Sequence, residues 1–291
     1  MSEELAPSFS AANYAHDGKV HILLAATGSV ATIKIPNIVA SLGSQDKFSI
    51  RIIITESAAN FLNGQSDEQP SLQQIRRMKG VEGIYHDEDE WKKPWVRGAD
   101  ILHIELRRWA HVLLIAPLSA NSLAKMAVGM ADNLLLSVVR AWDTSGTIDT
   151  KKPTPRIFVA PAMNTAMWRN PLTNRQVEIL DTSWGFQPET GGGWVTVIKP
   201  MEKELACGDI GDGAMEDWRK IEAKGYSAPG KPAAILEPPP TILRSTVQAT
   251  LLAYREAQAA RALVSLKTSI PNAGNPITAP QENVNPNMAW G

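Results

Sequence analysis

The single cysteine of the chain, Cys207, lies in the segment ACGDIGDGAM at residues 206–215. Three of the six residues 208–213 are glycines, and glycine permits mobile loops and tight turns. A cysteine in such a flap can be presented to a substrate. Free cysteines are also commonly buried and inert, so this segment alone leaves both interpretations open.

A histidine, His103, begins the helix-like segment HIELRRW at residues 103–109. Such a histidine is either a base or a helix cap, and the adjacent Arg107 and Arg108 could hold a phosphate or a carboxylate. Neighbouring residues on a helix point in different directions, so we do not expect both arginines to contact one substrate. Neither an HExxH motif nor a Cys/His cluster is present, so we expect no metal site.

An amide and two thioethers follow the predicted strand at residues 156–160, in the segment APAMNTAMW at 160–168. Asn164, Met163 and Met167 would suit a polar group carried on an apolar ligand. The alternative is that Asn164 caps a helix while the methionines fill the core.

Hydroxyl and amide side chains follow three predicted strands at the points where the strands end. The candidate contacts in these three turns are Gly28, Ser29 and Val30, then Thr55 and Ser57, then Ser119, Ala120, Asn121 and Ser122, of which the serines, Thr55 and Asn121 carry the hydroxyl and amide groups. Backbone N–H groups at such turns suit a phosphate, although each hydroxyl could equally be a helix cap. The turns match neither the GxGxxG nor the Walker pattern. Because the carboxyl ends of parallel strands line one crevice, the three turns together predict a phosphate-bearing ligand.

The elements that position these residues alternate along the chain. Apolar runs predict strands at 19–26, 48–55, 111–116 and 156–160, and helical spacing predicts helices at 30–42, 119–130, 133–142 and 171–181. This order favours an α/β fold, with a flavodoxin-like or Rossmann-like doubly wound parallel sheet in three layers.

We expect one main domain at residues 19–267, between a flexible N-terminus at 1–18 and a disordered tail at 268–291. Three polar or turn-rich segments, at about 63–80, 143–155 and 220–240, are predicted to be surface insertions. Helical spacing resumes at 241–267 and predicts a final docked helix.

The composition excludes several classes of protein. Apolar residues make up 44% of the 291 residues and charged residues 20%, which is typical of a globular fold. A formal net charge of -1 argues against a nucleic-acid partner, and no apolar run is long enough to span a membrane. One cysteine and the lack of a secretory signal lead us to expect a cytoplasmic protein.

The motifs together resemble those of the phosphopantothenoylcysteine decarboxylases, which belong to the homo-oligomeric flavin-containing cysteine decarboxylases. The resemblance covers about residues 19–217 and resumes near residue 237. It is carried by GSVA at 28–31, HIELRRWA at 103–110, APLSANSLAKMA at 116–127, DNLLLSVVRAWD at 132–143, APAMNTAMW at 160–168 and ACGDIGDGAM at 206–215.

The resemblance implies an FMN enzyme of coenzyme A biosynthesis, which converts 4'-phosphopantothenoylcysteine to 4'-phosphopantetheine and carbon dioxide. In this family the flavin oxidises the cysteine thiol of the substrate to a thioaldehyde, and the thioaldehyde accepts the electrons that decarboxylation releases. The resulting enethiol is then reduced to the thiol, with a proton from the protein.

The resemblance also implies roles for individual residues. His103 serves the oxidative decarboxylation, Cys207 donates the proton of the reductive half, and Asn164 binds the substrate carboxylate. Met167 and Ala206 are further substrate contacts. The implied FMN contacts are Gly28, Ser29, Val30, Thr55, Ser57, Ser119, Ala120, Asn121, Ser122 and Ala162. The family is homotrimeric with the flavin between subunits, so His103 and Asn164 of one site would come from neighbouring chains.

The sequence departs from the family pattern at two places. Ala131 stands where a cysteine is common, and residues 216–218 stand where the family has Ala-Glu-Pro. Three alternatives remain open: an inhibitory subunit of a phosphatase on the same scaffold, a peptidyl-cysteine decarboxylase and a flavin prenyltransferase. The tail at 269–291 has one acidic residue, which argues against the first, and the APAMN and cysteine motifs argue against the third.

Overall fold

The computed structural model describes residues 9–44, 46–64, 69–92, 94–149, 155–187, 190, 192–204 and 210–216. A six-stranded parallel sheet has the order β3-β2-β1-β4-β5-β6, and β7 and β8 form an antiparallel pair. The strands are β1 Val20–Ala26, β2 Phe48–Ile54, β3 Val81–Tyr85, β4 Val112–Leu118, β5 Arg156–Pro161, β6 Val195–Val197, β7 Met201–Glu204 and β8 Ile210–Ala214.

The helices lie between the strands. They are α1 Ile35–Gly43, α2 Glu56–Ala59, α3 Leu72–Arg76, α4 Leu102–Trp109, α5 Ala120–Ala127, α6 Leu134–Arg140, α7 Thr165–Trp168 and α8 Pro171–Glu178. Of these, α1, α5, α6 and α8 overlap the four ranges that the sequence predicts, whereas α2, α3 and α7 were not predicted. Single turns of 3-10 helix occupy Ala11–Tyr14, Val30–Lys34 and Asp87–Trp91, and a π turn occupies Ile179–Ser183. No helix among the described residues is both long and apolar enough to cross a membrane.

The chain winds in both directions from β1. It first builds β2 and β3 on one side, and then returns to place β4, β5 and β6 on the other. This doubly wound parallel sheet confirms the predicted fold class, and its strand order is that of the Rossmann fold. The winding direction changes between β1 and β4, which is where such sheets bind ligands.

The sheet is buried on both faces because its central strands are almost continuous apolar runs. Every residue of β1, β2 and β4 is buried, and side chains alternate between the faces. Ile22 and Leu24 pack in one cluster with α1 and α3, whereas Leu23 and Ala25 pack in a second cluster with α4, α5 and α6. The predicted three layers are therefore confirmed.

Two strands of the sheet were missed by the sequence reasoning. The edge strand β3 reads VEGIY and buries only Ile84, so it lacks the apolar run that identified the central strands. The other edge strand, β6, is three residues long. Short or half-exposed edge strands carry little periodic signal, which explains both omissions.

The start of the described chain packs against the sheet, and the flexible N-terminus expected at residues 1–18 stays a prediction. The buried guanidinium of Arg51 on β2 lies 4.0 Å from the ring centre of Phe9 and 4.8 Å from that of Tyr14. The amide of Ala11 donates to Glu105 on α4, at 2.7 Å. Cation–π contacts and a charge-assisted hydrogen bond therefore hold this segment.

Two predicted insertions have buried anchors in their described parts. Ile75 of α3, within 63–80, is fully buried. The buried carboxylate of Asp143 accepts the amides of Ile148 and Asp149, each at 3.0 Å. Burial raises the pKa of Asp143, but hydrogen bonds from Asp149, Ser145 and their neighbours outweigh it, so the net pKa is lowered. The predicted insertion at 220–240, the helix predicted at 241–267 and the disordered tail predicted at 268–291 lie outside the described residues.

Candidate active site

The carboxyl ends of β1, β4 and β5 are joined by hydrogen bonds beyond the strands themselves. Thr27, directly after β1, donates its amide to the carbonyl of Pro117 at 3.1 Å, and its hydroxyl oxygen accepts the amide of Ser119 at 2.6 Å. The amide of Ala162 donates to the carbonyl of Leu118 at 2.9 Å. These bonds give the ligand-binding edge of the sheet a fixed shape.

The turn after β1 approaches the turn after β2 too closely to hold a side chain at Gly28. A Cβ atom there would lie 2.7 Å from Oγ of Ser57 and 2.8 Å from its Cβ, closer than real Cβ contacts occur. The turn therefore presents backbone rather than side chain at this point, which suits the close approach of a ligand such as a phosphate.

Three of the predicted ligand-contacting hydroxyls cap helices at this edge. The oxygens of Ser29, Thr55 and Ser119 accept the amides of Ala31 at 3.4 Å, Ala58 at 3.3 Å and Ser122 at 3.3 Å respectively. Capping does not exclude ligand binding, because a cap uses one of several free N–H groups at a helix start. The structure thus shows the capping role of these residues, and their contact with a ligand stays a prediction.

The other predicted contacts differ in their exposure. Ser57, Asn121 and Val30 are exposed at the edge, where a ligand could reach their side chains. Ser122 and Ala162 are buried in the floor below them. The structure thus places all the sequence-predicted cofactor contacts at the carboxyl ends of the strands, around the point where the winding direction changes.

The segment APAMNTAMW at 160–168 exposes its amide and one methionine to solvent and buries the other methionine. Asn164 follows β5 and is exposed. Its Oδ1 caps α7 by accepting the amide of Ala166 at 2.8 Å. Met163 is buried in the second core cluster, whereas Met167 is 54% exposed. The core interpretation therefore holds for Met163, and Asn164 and Met167 remain available to a ligand.

A hairpin formed by β7 and β8 docks on this same turn. The amide of Met163 donates to the carbonyl of Gly213 at 2.9 Å, and a Cβ at Gly213 would lie 2.3 Å from the carbonyl oxygen of Met163. An ion pair between Arg169 and Asp212, at 3.0 Å, adds a second contact. Cys207 and Ala206 belong to the connection between β7 and β8 and lie outside the described residues.

The first turn of α4 holds His103. Because α4 leads directly into the amino end of β4, its N-terminus faces the carboxyl edge of the sheet. The ring Nδ1 of His103 lies 2.9 Å from Oε1 of Glu90, and the His103 amide donates to Oε2 of the same carboxylate at 3.0 Å. Sequence reasoning missed Glu90, which stands among four consecutive acidic residues and carries no separate signal.

The two adjacent arginines are paired with carboxylates of the protein. Arg107 is buried and forms an ion pair with Asp149. Arg108 donates to Glu105 at 2.9 Å and lies 3.9 Å from Asp149. Since Asp149 belongs to the segment at 143–155, that segment is fixed to α4 by the residues that the sequence offered as phosphate ligands.

Acidic, histidine and cysteine side chains do not form a metal-binding group in the part of the chain that the structure describes. The edge instead combines capped helix starts, a side-chain-free turn at Gly28 and an amide at Asn164. This combination defines a class of protein: an open α/β sheet that binds a phosphate-bearing ligand where its winding direction changes.

Comparison with known proteins identifies the family. The family model described as Flavoprotein matches residues 10–225, which is most of the chain. The chain therefore belongs to the flavoprotein family. It is 45% identical over 199 residues to the phosphopantothenoylcysteine decarboxylase of Arabidopsis thaliana, an alignment that covers 68% of this chain and 80% of that protein.

Further relatives extend this comparison. A Schizosaccharomyces pombe protein named "Probable thymidylate synthase" is 44% identical over 205 residues; the match covers 70% of this chain and 28% of that protein. The solved structure of a cysteine-to-serine variant of PPC decarboxylase, complexed with pantothenoylaminoethenethiol, has a TM-score of 0.52 and 43% identity, with 68% of this chain and 91% of that chain covered. The FMN binding protein AtHal3 has a TM-score of 0.51 and 44% identity, with 68% and 90% covered.

Proposed function

We propose that this protein is an FMN-dependent decarboxylase that converts 4'-phosphopantothenoylcysteine to 4'-phosphopantetheine in coenzyme A biosynthesis. The single observation that supports this most is the docking of the β7–β8 hairpin on the Asn164 turn. That contact supports the proposal because Asn164 is the amide that we propose binds the substrate carboxylate, and the lone cysteine belongs to the connection between β7 and β8. The relatives named phosphopantothenoylcysteine decarboxylase support the same substrate.

The residues at the sheet edge fit FMN. The side-chain-free turn at Gly28 and the capped helix starts after β1, β2 and β4 would hold its phosphate and ribityl hydroxyls, with Ser57 and Asn121 as exposed hydrogen-bonding side chains. When bound, FMN supplies the two-electron acceptor that lets an otherwise unstabilised carbanion form. Titratable side chains of the protein cannot supply this chemistry.

The protein's own residues would position the substrate and move protons. The amide nitrogen of Asn164 would donate to the substrate carboxylate, and the exposed Met167 would contact the apolar part of the same molecule. His103 would accept a proton while the cysteine thiol of the substrate is oxidised. Cys207 would donate the proton that completes the reduced product, with Ala206 beside it as a substrate contact.

We further propose that the active enzyme is a cytoplasmic homotrimer with its sites between subunits. Support for an interface beside His103 comes from exposed tryptophans in the preceding segment, since Trp91 is 76% exposed and Trp95 is 57% exposed. Large exposed apolar side chains within a few residues of each other are typical of interaction surfaces. The net charge of -1 and the absence of a basic patch in the sequence favour a small-molecule partner over a nucleic acid.

Two substitutions separate the halves of the proposed reaction. Cys207→Ser would still release carbon dioxide but would not form 4'-phosphopantetheine, because only the second half needs its proton. His103→Asn would release no carbon dioxide while still binding FMN. Carbon dioxide and thiol product are measured together, with the flavin absorbance as the control for cofactor binding. Normal phosphopantetheine output from Cys207→Ser, or persistent turnover in His103→Asn, would contradict the assigned roles.

A further inference from the structure

A buried carboxylate that the proposed reaction has not used lies directly against His103. The side chain of Glu90 is 5% exposed, compared with 24% for His103. One of its oxygens lies 2.9 Å from the ring Nδ1, and the other accepts the backbone N–H of the same residue at 3.0 Å. The carboxylate thus forms hydrogen bonds with both the ring and the main chain of His103.

Two other carboxylates of the acidic run fix the turn that carries Glu90. Asp87 accepts the amide of Leu134 at the start of α6, at 3.1 Å, and Asp89 accepts the amide of His86 at 2.7 Å. Glu90 is therefore presented to α4 by a segment that is tied to a second helix and to its own start. Such an arrangement holds a side chain in one orientation.

An ionised carboxylate can only accept hydrogen bonds. The contact with Oε1 therefore requires the proton of the neutral imidazole to be on Nδ1, which leaves Nε2 as the unprotonated nitrogen. From these contacts we propose that Glu90 is a positioning residue, which selects the Nδ1–H tautomer of His103 and directs Nε2 to the substrate. The proposal rests on the decarboxylase function argued above, because that function gives Nε2 its task.

The proposed proton path is balanced by this pair. Nε2 would accept the thiol proton while the substrate is oxidised to the thioaldehyde with FMN as the two-electron acceptor; the ring would become an imidazolium, and Glu90 would keep accepting the Nδ1–H. The same arrangement of carboxylate, imidazole and reacting group sets the tautomer and stabilises the imidazolium in other enzymes. Glu90 need not touch the substrate for this role.

Glu90→Gln tests the proposal without removing the bulk of the side chain. Glu90 uses one oxygen for the ring Nδ1–H and the other for the backbone N–H of His103, so a glutamine with a single acceptor oxygen cannot reproduce both contacts in this geometry. The backbone N–H of His103 still needs an acceptor, so the glutamine oxygen would accept from it and the amide NH2 would donate to Nδ1, which favours the opposite tautomer. Glu88→Gln is the matched control, because Glu88 is an exposed residue on the same turn and loses the same charge.

The first readout is the nitrogen NMR spectrum of protein labelled at histidine, with the His103→Asn variant used to assign the His103 signals. The wild type and Glu88→Gln should show the Nδ1–H tautomer, and Glu90→Gln should lose it. An Nε2–H tautomer in the wild type, or an unchanged spectrum in Glu90→Gln, would overturn the proposal. This readout needs no turnover, so it remains decisive if the protein proves not to be a decarboxylase.

The second readout is steady-state decarboxylation by the FMN-loaded variants. Glu90→Gln should lower kcat about 10–100-fold with little change in KM, the size of effect seen when a carboxylate that orients a functional histidine is removed. Flavin absorbance should be unchanged in both variants, and Glu88→Gln should retain the wild-type kcat. A Glu90→Gln enzyme with wild-type kcat, or one whose loss is entirely in KM, would contradict a positioning role.

Discussion

Gly28 shows how one residue controls the proposed cofactor site. The added methyl group of Gly28→Ala would lie within 2.8 Å of two side-chain atoms of Ser57, so the turns after β1 and β2 would move apart. Such overpacking costs about 1–3 kcal/mol. If the cost falls on the bound state, FMN affinity drops roughly 5- to 150-fold, which flavin fluorescence titration measures.

A double variant separates this steric effect from any change in chemistry. Ser57→Gly removes both atoms that the new methyl group would strike, so adding Gly28→Ala to it should weaken FMN binding little further. If Gly28→Ala weakens binding as much in the Ser57→Gly background as in the wild type, the close approach is not the cause. Equal FMN affinity in Gly28→Ala and the wild type would contradict a role for the side-chain-free turn at Gly28 in holding FMN.

The sequence identified most candidate residues but could not decide between their alternative roles. Ser29, Thr55 and Ser119 are helix caps and also lie at the ligand-binding edge, so local sequence could not separate two properties that coexist. Met163 and Met167 are four residues apart in one motif, yet the first is buried and the second exposed. The partner of His103 was missed because Glu90 is 13 residues distant and looks like its acidic neighbours.

Among the elements, the β7–β8 hairpin carries the most specific prediction. In Gly213→Ala the new methyl group would lie 2.3 Å from the backbone oxygen of Met163, and a backbone atom cannot move aside as a flexible side chain can. The hairpin should therefore lift from the Asn164 turn. We expect the yield of 4'-phosphopantetheine per carbon dioxide released to fall, with FMN binding retained, as measured in a single-turnover assay.

Gly192→Ala provides the control for this hairpin variant. It also replaces a glycine with alanine, but its methyl group would approach only Oγ1 of Thr190, at 3.2 Å, among the described residues. It should keep the wild-type product ratio. A Gly213→Ala enzyme with the same product ratio as Gly192→Ala would contradict a role for hairpin docking in the reductive half.

The elements differ in how well the sequence predicts them. The strands β1, β2, β4 and β5 were predicted within about two residues at each end, because strands buried on both faces must be apolar throughout. The edge strands and the hairpin were not predicted, since they are short, half-exposed or rich in glycine. The segment at 143–155 was predicted as a surface insertion, but its buried Asp143 and its ion pair to Arg107 appear only in three dimensions.

At the scale of the whole molecule, the proposed site requires more than one chain. Coexpression of the inactive His103→Asn and Asn164→Asp variants should restore part of the activity. If chains mix randomly, roughly a quarter of all sites in the trimer population would combine an intact His103 with an intact Asn164 from different chains. Turnover of the purified mixture, with its mass measured by light scattering, checks this. Mixed trimers that are as inactive as either variant alone would contradict a site shared between subunits.

Composition and periodicity predicted the class of the whole molecule, because 44% apolar residues in alternating strand and helix patterns specify a doubly wound sheet. They could not predict the assembly. An interface has no periodic signal of its own, and the exposed Trp91 and Trp95 stand out only once the fold shows which tryptophans are left outside the core. The sequence proposal of a trimer came from family resemblance, and it stays a prediction.

The central claim is that this chain alone catalyses the complete reaction. Purified, FMN-loaded protein is incubated anaerobically with 4'-phosphopantothenoylcysteine, while carbon dioxide, 4'-phosphopantetheine and the flavin spectrum are followed. We predict equal amounts of the two products over many turnovers, with the flavin oxidised again after each one. Bound FMN without turnover would contradict the claim, and would favour a regulatory or partner-dependent subunit on the same scaffold.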